Sequence, residues 1–126
     1  MKTRWLDRRI ARPGPHLALC LSEAEFKAAC AHLKAAPPRW VNAGANATMH
    51  TFELDGKTSC VVCIDGTDEW NAIEVAGLLI HEAVHVWQQY CEDIAERNPG
   101  IEQEAYGIQA IAQELLAEYA RRLALR

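Results

Sequence analysis

Ile73-Glu74-Val75-Ala76-Gly77-Leu78-Leu79-Ile80-His81-Glu82-Ala83-Val84-His85-Val86-Trp87 is an apolar run that carries HExxH in its second half. Residues four apart on an α-helix lie one turn apart on the same face, so both imidazoles can reach one ion while Glu82 lies beside them. Neutral imidazole is a preferred ligand of Zn2+, and the spacing therefore predicts a zinc site on His81 and His85. Two ligands hold the metal weakly, so a third has to come from elsewhere in the chain. No histidine follows position 85. That excludes HExxHxxGxxH and leaves a carboxylate or Cys91. The plain structural alternative is a pair of helix histidines with an ordinary surface glutamate.

The pattern around the motif predicts a helix from about Glu69 to Ile94, with Thr67 or Asp68 as its cap. It is apolar around so much of its circumference that its place is central in the fold. Asn98-Pro99-Gly100 then turns the chain into a last helix, about Ile101 to Leu125, with Ile101, Ala105, Ile108, Ala112 and Tyr119 at amphipathic spacing. Its first turn carries Glu102 and Glu104, about 200° apart around the axis, so only one can face the histidines. Glu102 shares a side with Tyr106 and Gln109, a polar strip suited to a buried site, and is the expected third ligand. Both glutamates also complement the helix dipole with no metal involved.

Upstream, His16 to Leu21 suits a strand, and Ser22-Glu23-Ala24-Glu25 reads as a capping box opening a helix to about Leu33, with Pro37-Pro38 as its stop. Thr48 to Leu54 and Thr58 to Ile64 are rich in β-branched and aromatic residues, and Asp55-Gly56-Lys57 between them predicts a hairpin. The loop at 40–46 is expected to border the cleft. Residues 1–15, with Pro13-Gly14-Pro15, read as a loop or weakly ordered arm in which Trp5, Leu6 and Ile10 can form one turn of helix over the core, and 16–126 as a single domain.

At 126 residues, 50 % hydrophobic and 24 % charged, the chain has the composition of an ordinary globular domain. A net charge of -4 without a basic stripe argues against nucleic acid, and the longest apolar stretch is too short to span a membrane. Five cysteines without a disulfide-framework spacing, and no export signal, predict a cytoplasmic protein. Cys60-Val61-Val62-Cys63 is formally CxxC, but strand-forming valines send its thiols to opposite faces and argue against a second metal site. Cys20, Cys30 and Cys91 read as small core residues.

HExxH on one helix with Glu102-x-x-Ala105-Tyr106 opening the next resembles the gluzincin class of zinc metallopeptidases, especially minimal single-domain members and phage-related and bacterial metallopeptidases. The likeness covers chiefly Ile73 to Leu116. It implies an α+β, zincin-like fold: a backing helix, a small antiparallel sheet containing the hairpin, the HExxH helix and the glutamate helix. It implies His81, His85 and Glu102 as zinc ligands, Glu82 as general base, and hydrolysis of peptide bonds in a peptide or protein substrate that pairs with an edge strand, Thr48 to Leu54. Tyr106 stands where many gluzincins carry an aspartate that orients a ligand histidine. His50, Tyr90 and Tyr106 are the candidate oxyanion donors. Alternatives are a zinc-binding interaction module without turnover, and a hydrolase of non-peptide amides such as a cell-wall cross-link.

Overall fold

The computed structural model describes residues 1–6 and 16–125. The chain is α+β, with strands β1 (Trp5–Leu6) and β2 (His16–Cys20), helix α1 (Glu23–His32), strands β3 (Ala47–Leu54) and β4 (Lys57–Ile64), and helices α2 (Ala72–Asp93) and α3 (Ile101–Ala124). The four strands form one sheet in the order β1-β2-β4-β3.

That sheet is mixed, which corrects the antiparallel sheet expected above: β2 pairs parallel with β4, whereas β1–β2 and β3–β4 are antiparallel. A parallel pair needs a long crossover, and here α1, the segment after it and β3 all lie between the partners. Trp5 and Leu6 pair with Ala18 and Leu17 as a strand, not as a helical turn. β1 thereby covers the outer edge of β2 at Leu17 and Ala18, and the Trp5 ring lies 6.1 Å from His16 and 5.6 Å from His32. Ile10 and Pro13-Gly14-Pro15 fall outside the described residues.

β4 is buried from Ser59 to Ile64 because both faces of the sheet are covered. Leu17, Leu19, Cys60, Val62 and Ile64 face α2 and α3, whereas Ala18, Cys20, Val61 and Cys63 pack on Phe26, Ala29 and Cys30 of α1. The CxxC thiols therefore do lie on opposite faces, as strand alternation requires.

Local chemistry sets the boundaries. Asp55 and Gly56 both have positive φ (52° and 75°), which a two-residue hairpin turn between Leu54 and Lys57 demands. In α1, the Ser22 hydroxyl accepts from Glu25 N–H. The helix ends at His32, before the prolines, because Lys34 turns left-handed (φ 55°) and Ala35 N–H returns to the Cys30 carbonyl. α2 is capped by Asn71 in a full capping box with Glu74, later than the expected Thr67 or Asp68, which belong to a separate 3-10 turn, Thr67–Glu69.

α3 meets α2 at Trp87. Gly107 lies so close to that ring that a Cβ there would fall 2.2 Å from it, and Glu104 accepts from Trp87 Nε1 at 3.0 Å. Further along α3, the buried Glu118 accepts from Arg121 at 2.8 and 2.7 Å and from Arg4 at 2.9 Å, tying the chain's first residues to its last helix. Among the described residues, no helix is long and apolar enough to cross a membrane.

Candidate metal centre

α2 buries Val75, Leu79, Ala83, Val86 and Trp87 and leaves His81 and His85 exposed on the face opposite. The two rings stand edge to face with centroids 5.0 Å apart. Glu82, about 100° round the helix from His81, falls at the border between these faces. It is only 3 % exposed, and its Oε2 has no hydrogen-bond partner. One donor atom from each of His81, Glu82 and His85 lies within 4.8 Å of the others.

Burial pushes the Glu82 carboxyl above its ordinary value, against the weaker opposing fields of His85, His81 and His50. His85 Nδ1 donates to Gln88 Oε1 at 2.9 Å, since a carbonyl oxygen can only accept. In the neutral ring this leaves Nε2 as the nitrogen available to a cation. Gln88, absent from the residues picked out above, was legible in principle: it sits three positions after His85, within reach on a helix.

The histidines open into a cleft of about 460 Å³ between α2 and β3. Ala47, Thr48 and Met49 form its strand wall, Asn42 its loop border, and Gln88, Gln89 and Glu92 continue its helix wall. β3 is an outer strand of the sheet, as expected for 48–54. The loop at 40–46 does border the cleft, through Asn42, whose N–H is pinned by Thr48 Oγ1 at 2.9 Å.

No protein-family model, curated protein or solved structure matches this chain.

The structure does not bring Glu102 to the histidines. It is exposed on the first turn of α3 and stands outside the converging donors. Trp87 explains the separation: two residues beyond His85, it points about 200° away around α2, and α3 packs on that side. Glu104 is held by the same ring. Cys91, the other possible ligand, is buried in the core, and burial raises its thiol pKa. Burial likewise pushes Cys60 up to about 12, with Asp93 adding to the effect.

The three candidate oxyanion donors lie outside the cleft wall. His50 Nε2 donates to the Trp40 carbonyl at 2.8 Å and its ring packs 4.6 Å from Phe26. Tyr90 packs 5.4 Å from Trp87, and Tyr106 is 65 % exposed.

Proposed function

We propose that the chain is a zinc-dependent metallopeptidase that binds its metal through His81 and His85 and uses Glu82 as general base. The observation that supports this most is the buried Glu82 oxygen with no partner, set beside two exposed imidazoles at the floor of a cleft. A buried polar atom without a partner is costly, and a ligand or water in the cleft would satisfy it. Imidazole and carboxylate donors suit zinc. Bound there, zinc supplies Lewis acidity that brings the pKa of a water towards neutrality and polarises a carbonyl.

The chain's own groups account for the rest. Glu82 Oε2 takes the proton of the attacking water and delivers it to the leaving nitrogen. Gln88 holds the His85 ring in one orientation. β3 presents a free edge to which an extended peptide can add as a further strand. A helix behind a sheet whose edge strand borders the HExxH helix fits a zincin-like architecture, and five free cysteines favour a reducing compartment, the cytoplasm.

The test is zinc content by mass spectrometry together with cleavage of a peptide library. The unmutated chain is expected to hold one zinc and to cleave; Glu82→Gln should keep the zinc and lose at least 100-fold in rate, about what general-base loss costs. A chain that takes up no zinc refutes the proposal. Zinc uptake without cleavage would support a second reading, a zinc-binding interaction module. That reading draws on the two-histidine donor set, which lacks a separate third protein ligand among the described residues.

A further inference from the structure

Beyond the histidines the cleft continues along α2 and β3. Thr48 and Met49 line it together with His81 and Glu82, and further along β3 Thr51 Oγ1 donates to Gln89 Oε1 at 3.4 Å. Three residues of strand, Thr48 to Thr51, and seven of helix, Glu82 to Gln89, each advance about 10 Å. Strand and helix therefore run side by side in the same sense, and a peptide added to the edge of β3 would be carried along the same line.

Glu92 lies on that line. It is seven residues past His85, hence about 10 Å further along the axis, and it lines the cleft. Its exposed carboxylate has no hydrogen bond or ion pair among the described residues, whereas neighbouring Asp93 accepts from Gln89 Nε2 at 2.9 Å. Among the described residues no lysine or arginine lines the cleft, and its other acidic wall residue is Glu82, with the unpartnered oxygen. Among the described residues the cleft wall thus offers a carboxylate with no basic side chain beside it, at a fixed distance from the candidate metal centre.

The geometry points to Glu92 as a specificity-determining residue that receives a lysine or arginine side chain of the substrate, about three residues from the scissile bond. This rests on the peptidase reading, since an extended strand advances about 3.3 Å per residue and three residues cover the 10 Å. The pairing is partly solvated, so its effect is modest: about fivefold between a basic and an acidic residue, shrinking as salt is raised.

Peptides of one sequence with Lys, Gln or Glu placed at successive positions on either side of the cut test it. Cleavage is measured with the zinc-loaded protein, and binding by fluorescence anisotropy with the Glu82→Gln chain. Lys should be favoured about fivefold at one position roughly three residues from the cut, and Glu92→Lys should invert the order there and nowhere else. Cleavage with no such preference, or a preference unchanged by Glu92→Lys, overturns the inference and leaves the peptidase reading standing. Binding that favours Lys through Glu92 with no cleavage overturns the peptidase reading, and with it the role in cleavage specificity, and leaves Glu92 as a binding contact for a basic side chain. Neither binding nor cleavage overturns both.

Discussion

His85 and Glu102 lie 17 residues apart in the chain and differ in what each can do for a cation. His85 has one ring nitrogen fixed by Gln88 and the other free, beside a second imidazole, so His85→Ala should lower zinc affinity by orders of magnitude. Glu102→Ala should leave it within about twofold, because that carboxylate is outside the converging donors. Competition against a chromogenic chelator measures both, and a large loss in Glu102→Ala would show that α3 moves onto the metal. At this scale the HExxH spacing made the two histidines and Glu82 legible, since i and i+4 share a face whatever the tertiary fold. The place of Glu102 was not legible. Helical angles rank Glu102 against Glu104, but which side of α2 the next helix packs on depends on Trp87 meeting Gly107, a contact between residues with no shared periodicity.

The elements follow from local chemistry more closely than their arrangement does. The hairpin and the extent of α3 were readable from turn residues and periodicity, because a left-handed Asp-Gly pair and a long amphipathic repeat leave few options. The parallel pairing of β2 with β4 was missed, although a strand, a helix and two further strands in that order permit it; only the burial of both faces of β4 makes the choice visible. Packing of α3 on α2 depends on a glycine for steric reasons. Gly107→Ala would drive a methyl into the Trp87 ring and should destabilise the fold by about 1–3 kcal/mol through overpacking. Thermal unfolding should show a drop of several degrees, and an unchanged midpoint would mean that the helices can separate at no cost.

For the molecule as a whole, the buried Glu118 is expected to contribute to the loss of stability in acid. Burial alone would raise its pKa, but hydrogen bonds and charge from Arg121 and Arg4 outweigh that and hold the carboxyl below its ordinary 4.5. A folded-state value below the unfolded one means that its contribution is fully present above the unfolded value and is lost as pH falls through the folded one. Urea midpoints should therefore decline as pH drops below about 5. Glu118→Gln should flatten that decline while lowering stability near neutrality by about 2 kcal/mol, the scale of a charged hydrogen bond lost from a buried acceptor. Equal acid sensitivity in both proteins would remove Glu118 from the account.

The same contact dictates an order of events during synthesis. Arg4 and Glu118 are 114 residues apart, so while the chain is still emerging from the ribosome β1 is held by its two-residue pairing with β2 and without that ion pair. A nascent chain stalled short of position 118 would keep so short a strand in place by that ladder alone, and each time it frayed the edge of β2 would be open to chaperones and to other unfinished copies.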